Sequence, residues 1–278
     1  MNTTTTTLTT PLPIALLPAG SPQPVQALVK GFAPINLKEM AGVALLNRTD
    51  TKYVLSTATL WEALQGLPGG YRMLEVDGVR LNHYRTVYFD TADFALYQRH
   101  HAGAADRYKV RARLYQDSGL AFLEVKHKTN KKRTIKERLR TDRLQSKVTL
   151  ATVPFLQRYY PGEAAALLPV LVNFFTRITL VGNDRPERIT LDFDLGFSWG
   201  DRYVTLPGLA IAELKQEGYA LRSRFSQQMH ALGVRPASFS KYCLGASLLY
   251  PWLKQNNFKR THLLVQKIMR GTNHDNAN

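Results

Sequence analysis

The sequence predicts an α+β protein built on an antiparallel sheet, a barrel or a sandwich, with flanking helices. Three observations carry this expectation. Short runs rich in Val, Ile, Tyr, Phe and Thr alternate apolar and polar residues, the period of a half-buried strand. Turn signals such as "QDSG" and "NDRP" join neighbouring runs as hairpins do. Helical patterns are too few and too unevenly placed for the strand–helix alternation of a doubly wound parallel sheet. At 278 residues and 44% hydrophobic, the chain carries enough apolar material for a sizeable core.

In chain order, residues 1–35 open with a Thr run and several prolines and are expected to form a flexible leader, without the positive n-region of a signal peptide. Residues 36–252 hold the folded domain. "KYVLS" and "YRMLEV" read as strands around a helix, "STATLWEALQGL", whose N-cap is Ser56. "HYRTVYFDT" is a strand ending in an Asp-Thr cap signal. "RYKVRARLY" and "LAFLEVKHK" make a hairpin across "QDSG", and "TIKERLR" adds a strand. A helical section covers roughly 141–168. Three strands follow, "NFFTRITLV", "ERITLDFDL" and "GLAIAELK", the last two separated by a longer connection, "WGDRYVTLPG". "YALRSRFSQQMHALG" and "SFSKYCLGASLLY" are helices, the second stopped by Pro251. Residues 253–278 form a basic tail, read as a solvated helix, with an amphipathic surface for a membrane or partner as the alternative.

The 37 Lys+Arg against 21 Asp+Glu give a net charge of +16, which calls for an anionic partner: nucleic acid, phosphate compounds or a membrane surface. Cys243 is the only cysteine, so no intramolecular disulfide forms, and a reducing, cytoplasmic compartment fits. No apolar run is long enough for a transmembrane helix. Of the smaller signals, "RHH" at 99–101 reads as a surface loop rather than a metal site, and His127 and Cys243 read as structural.

Charge placement narrows the partner. In "RYKVRARLY", Arg107, Lys109, Arg111 and Arg113 fall at every second position and share one strand face. "FLEVKHK" puts Phe122, Glu124, Lys126 and Lys128 on one face, and "TIKERLR" does the same with Thr134, Lys136 and Arg138. Arg188, Asp192 and Asp194 share a face of "ERITLDFDL"; Glu213 and Lys215 share one in "AIAELK"; Arg85 and Arg177 add to the set. Two cations about 7 Å apart repel by roughly 2 kcal/mol at an effective dielectric near ~20. A lattice of such groups is strained unless an anion sits among them, and Arg forks with Lys point charges match a chain of phosphates. RNA-binding strands carry exposed aromatics for base stacking, and these faces carry few, so no nucleic acid is expected.

Seven segments, "NRTDTKYVL", "YRTVYFDT", "RYKVRARLY", "FLEVKHKT", "RITLDFDL", "AELK" and "SFSKY", resemble the VTC domain in content and order. That domain is the polyphosphate polymerase core of the vacuolar transporter chaperone complex, and belongs with the triphosphate tunnel metalloenzymes and CYTH-type triphosphatases. The resemblance implies an antiparallel eight-stranded β-barrel tunnel with phosphate-binding basic residues inside. It implies transfer of the ATP γ-phosphate to a growing polyphosphate chain, with Mn²⁺ or Mg²⁺ held by Glu213. Arg111, Arg113, Lys126, Arg177, Arg188 and Lys241 take catalytic positions, the first five holding the triphosphate and Lys241 steering the acceptor or product. Lys52, Arg85, Lys109, Lys128, Lys136 and Lys215 are further phosphate-binding positions. The implied partners are ATP and polyphosphate or pyrophosphate. "RTDTK" offers only Asp50 and Lys52 where CYTH enzymes carry an ExExK triplet, which weighs against a plain triphosphatase. A non-catalytic, polyphosphate-binding VTC paralogue and an inorganic triphosphatase are the alternatives.

Overall fold

The computed structural model describes residues 23–41, 48–131, 133–218 and 223–275. Its strands are β1 (Ala33–Ile35), β2 (Arg48–Ser56), β3 (Tyr71–Leu74), β4 (Asn82–Asp90), β5 (Arg107–Tyr115) and β6 (Leu120–Lys128). Beyond them lie β7 (Thr134–Thr141), β8 (Leu168–Gly182), β9 (Glu187–Trp199), β10 (Arg202–Leu206) and β11 (Leu209–Glu217). The helices are α1 (Gln23–Lys30), α2 (Leu37–Ala41), α3 (Thr57–Gln65), α4 (Ala95–His101), α5 (Val153–Tyr159), α6 (Arg224–Ala231), α7 (Lys241–Leu249) and α8 (Lys259–Asp275).

The main path of the sheet has eight strands in the order β2-β11-β9-β8-β4-β5-β6-β7. Every neighbouring pair along it is antiparallel. The short β1 pairs in parallel with β3, which joins β8, and β10 folds back on β9. The path curls strongly. β11 and β6 lie five steps apart, about 24 Å in a flat sheet, yet the charge of Glu213 on β11 acts on Lys126 on β6. Among the described residues no ladder joins β2 to β7, so the expected barrel is an open, tunnel-like sheet. β7 resists further pairing because its Arg138 and Arg140 are exposed charges on an edge strand.

Helices cover the convex face. Val25 and Val29 of α1, Leu60 and Leu64 of α3, and Phe225 and Met229 of α6 pack on Tyr53, Leu55, Ile189, Leu191, Ala212 and Leu214. Leu156 of α5 and Tyr160 pack behind β4–β6 on Val87, Val110, Ala112, Leu123 and Val125. On the concave side α7 and α8 fill only one end. There Tyr242, Leu244, Val265 and Ile268 meet Val54, Tyr84, Tyr88, Phe175 and Ile211. The rest of the concave face is mostly polar.

Several segments differ from the sequence expectation. Of the 1–35 leader, residues 1–22 lie outside the described residues, while Gln23–Ile35 is α1 and β1, with Val25, Phe32 and Ile35 buried. Arg80 donates to the carbonyls of Val29 and Phe32 at 2.8 and 2.9 Å, tying that segment down. The connection "WGDRYVTLPG" contains β10, and "RHH" belongs to α4, with His101 buried beside Tyr97 and Phe258. In 141–168 the helix is short, α5 alone with one 3-10 turn at Ala164–Ala166. The basic tail is packed into the fold through Val265. Ser56 caps α3 as expected, accepting from the Thr59 N–H at 3.0 Å. Among the described residues no helix is long and apolar enough to cross a membrane.

Candidate functional site: the concave face

Residues directly opposite in an antiparallel ladder share a face, so the register can be read across the sheet. Lys52 faces Glu213, which faces Thr190 and then Thr179. One step along, Asp50 faces Lys215, which faces Arg188. Arg177 stands opposite Asp192 on one side and Asn82 on the other. On β4 the same face carries Tyr84, Thr86 and Tyr88, opposite Tyr115, Arg113 and Arg111. Arg111 then faces Glu124 and Arg138, Lys109 faces Lys126 and Lys136, and Arg107 faces Lys128 and Thr134.

One face therefore gathers Lys52, Lys109, Arg111, Arg113, Lys126, Lys128, Lys136, Arg177, Arg188, Glu213 and Lys215 from seven strands. Lys241, the first residue of α7, reaches the same face from the helix and pairs with Asp192. Arg85 is the exception. It stands opposite Leu114 and Phe174, so it lies on the convex side, where burial lowers its pKa. Its strand neighbours Tyr84 and Thr86 take the concave positions instead.

Among the described residues four carboxylates sit amid these cations, and each is held. Lys52 Nζ donates to Glu213 Oε1 at 2.6 Å, and Lys215 Nζ lies 2.8 Å from Glu213 Oε2. Lys215 also donates to Asp50 at 3.3 Å. Arg111 Nε donates to Glu124 Oε2 at 2.7 Å while Lys136 pairs with Oε1. Arg177 grips Asp192 with Nε and Nη2 at 2.5 and 2.7 Å. Burial alone would raise the pKa values of Glu213, Glu124 and Asp192. Lys215 and Lys52 nevertheless hold Glu213 well below the usual carboxylate range, and Arg111, Arg113 and Lys136 do the same for Glu124.

The cations outnumber these acids. Lys126 has no carboxylate partner among the described residues. Burial first, then the charges of Arg111 and Lys109, pull its ammonium down to about 7. Burial also brings Lys136 and Lys241 down to about 8, against the pull of their acids. Aromatic faces help to bear the remaining charge. Arg177 lies over Tyr84 at 4.9 Å, Lys241 over Phe175 at 4.5 Å and Arg113 over Tyr84 at 5.5 Å. Arg113, almost fully buried, also donates to Thr86 Oγ1 at 3.3 Å. Lys109 donates to Ser240 Oγ, the N-cap of α7, at 3.1 Å.

Arg138 lies on the basic face expected from the sequence without being among the expected phosphate-binding positions, and Arg140, not marked by the sequence, continues the same alternation. Asp192 is the partner of Arg177 and Lys241, while Asp194 sits at a β-bulge with φ 52° and accepts from Thr176. His127 lies on the convex side, stacked on Tyr108 and bonded to Asp106 at 2.6 Å. Among the described residues no three acidic, His or Cys side chains converge on one point.

A family model described as the VTC domain matches residues 47–250. Comparison with curated proteins finds no match. Solved structures similar to the chain include an adenylate cyclase candidate from Vibrio parahaemolyticus, at 16% identity and TM-score 0.43, covering 71% of this chain and 97% of that one. A Bacillus halodurans adenylate cyclase candidate aligns at 13% identity and TM-score 0.45, covering 70% and 94%. An adenylyl cyclase candidate from Hippeastrum, described as having a dominant triphosphatase activity, aligns at 13% identity and TM-score 0.45, covering 71% and 94%.

Proposed function

This chain belongs to the VTC domain family, and from that premise we propose that it is a metal-dependent polyphosphate polymerase, moving the γ-phosphate of ATP onto the end of a phosphate chain. The observation that supports this most is the imbalance of the concave face. Cations from seven strands surround four carboxylates, each already held by a cation. A chain of phosphates relieves that imbalance. Neighbouring cations hold Glu213, Glu124 and Asp192 below the usual carboxylate range, which makes them weak bases towards water and favours a phosphate oxygen as the acceptor.

Phosphoryl transfer needs alignment and charge stabilisation more than covalent help. Arg111, Arg113, Arg177 and Arg188 supply guanidinium forks for the triphosphate. Lys126, with no carboxylate partner among the described residues, can take a new anion without giving one up. Lys52, Lys109, Lys128, Lys136, Lys215 and Lys241 hold the acceptor and the product along the face. Glu124 and Asp192 keep Arg111 and Arg177 aimed while the site is empty of phosphate.

A divalent cation fits this donor set. Glu213 is one carboxylate among phosphate-binding groups, and Mg²⁺ is commonly held by one or two carboxylates, with phosphates and water completing its shell. Mg²⁺ or Mn²⁺ held there would neutralise charge developing on the phosphate oxygens. The deciding experiment incubates the purified protein with ATP and Mn²⁺ and separates long-chain polyphosphate from free phosphate. Polymer is the expected product. Free phosphate alone would mean hydrolysis, and no turnover with intact polyphosphate binding would mean a silent paralogue.

A further inference from the structure

The edge strand β7 extends the basic face beyond the residues used above. Arg138 stands opposite Glu124 and Arg140 opposite Phe122, so both join the face of Arg111 and Arg113. Both are exposed, and Arg138 lies over the Phe122 ring at 4.9 Å. Lys136, Arg138 and Arg140 thus step along the strand at about 7 Å intervals. Charge on an edge strand also guards against pairing with another chain. Guarding, however, is indifferent to the sign of the charge and to the face that carries it. Here the concave side of β7 carries Lys136, Arg138 and Arg140 in succession after Thr134, while Ile135, Glu137 and Leu139 take the other side. Among the described residues the one carboxylate facing this row, Glu124, is already occupied by Arg111 and Lys136.

We propose that Arg138 and Arg140, with Phe122 beneath Arg138, form a second polyanion subsite that holds condensed phosphate extending beyond the reacting centre. The proposal rests on the polymerase reading and adds to it a place for the rest of the chain. Exposed Arg–phosphate contacts are individually weak in water. Tethered to a chain already gripped by the central cations, they act at high effective concentration and together slow its escape. The subsite therefore distinguishes long chains from short ones: a triphosphate filling the centre does not need it, whereas a longer polymer does.

The test compares the unmodified protein with the double variant Arg138→Gln/Arg140→Gln by calorimetry, at low and moderate salt. The probes are tripolyphosphate, long-chain polyphosphate and a single-stranded RNA. The expected result is a tripolyphosphate Kd unchanged within about twofold and a long-chain Kd weakened about tenfold or more, with a shallower salt dependence because fewer counterions are released. Arg138→Lys/Arg140→Lys should recover most of the long-chain affinity, and melting temperatures should match across the variants. Equal loss for both phosphates would place these arginines in the reacting centre, and no loss for either would leave them as edge guards. Loss for RNA alone would make the row a nucleic-acid track. Each of these outcomes overturns the subsite. An unmodified protein that binds neither phosphate overturns the polymerase reading itself, and the subsite with it.

Discussion

Glu213 is a carboxylate between two ammonium groups, Lys52 at 2.6 Å and Lys215 at 2.8 Å. Its charge offsets repulsion in the phosphate-free face, and in the proposed reaction it also holds the metal. Glu213→Gln keeps the size and removes the charge. Metal-dependent synthesis is expected to fall by about 10²–10³, the scale of one preorganised electrostatic contact. Metal-free polyphosphate binding should persist or tighten, because a repulsive carboxylate has left. Arg113→Ala removes a buried guanidinium held by Thr86 and Tyr84, so binding and synthesis should fall together. Kd without metal and initial rate with Mn²⁺, measured on both variants, separate the two roles. A Glu213→Gln protein with full metal-dependent activity would remove this residue from the metal site.

At the scale of elements, Asp90 connects the site to its support. It ends β4, is fully buried, and accepts from the backbone N–H groups of Thr91, Leu96 and Tyr97 at 2.7–2.9 Å. Two of those donors belong to the first turn of α4, where helix N–H groups lack intrahelical partners. The Tyr242 hydroxyl of α7 donates to the same carboxylate, one residue from Lys241. Asp90→Ala strands several buried donors at about 1–3 kcal/mol each, so a loss of roughly 3 kcal/mol or more is expected. Urea unfolding measures it. Tyr242→Phe, which leaves the backbone donors satisfied, should cost less. This cap was legible as the Asp-Thr signal of "HYRTVYFDT", and strand alternation likewise revealed which residues share a face. Alternation within one strand cannot say which face turns inward, and Arg85 was misplaced for that reason. Tyr84, Thr86 and Tyr88 stand opposite Arg113 and Arg111 across the ladder, and only that pairing fixes the parity. α1 escaped notice because it is short and follows a proline-rich stretch; its stability comes from packing Val25 and Val29 on a core built much later in the chain. β10 was hidden because only Val204 and Leu206 of this short strand pack on the core, too brief an alternation to read.

For the molecule as a whole, the net charge of +16 becomes a pH-dependent stability. Lys126 is lowered to about 7 and Lys136 and Lys241 to about 8, each chiefly by burial. An unfolded lysine titrates near ~10.4. Below about pH 7 all three are charged in both states, and the cost of confining them is fully present. Between about pH 7 and 10 the unfolded chain binds more protons than the folded one, so stability rises with pH through that window. The melting temperature of the phosphate-free protein at low salt should therefore climb from pH 6.5 to 9. A bound polyphosphate reverses the preference, because its charge draws protons back onto the same lysines. Binding then takes up protons above pH 7, and affinity falls as pH rises. Tripolyphosphate at a hundred times its Kd contributes ~2.7 kcal/mol by mass action, so the rise in melting temperature at a fixed concentration should be largest near pH 6.5 and shrink towards pH 9. Melting curves across this range, with and without millimolar tripolyphosphate, read both trends at once. A phosphate-free curve that stays flat would show the three lysines to have ordinary proton affinity. A ligand increment that does not shrink would show that the phosphates lie away from them.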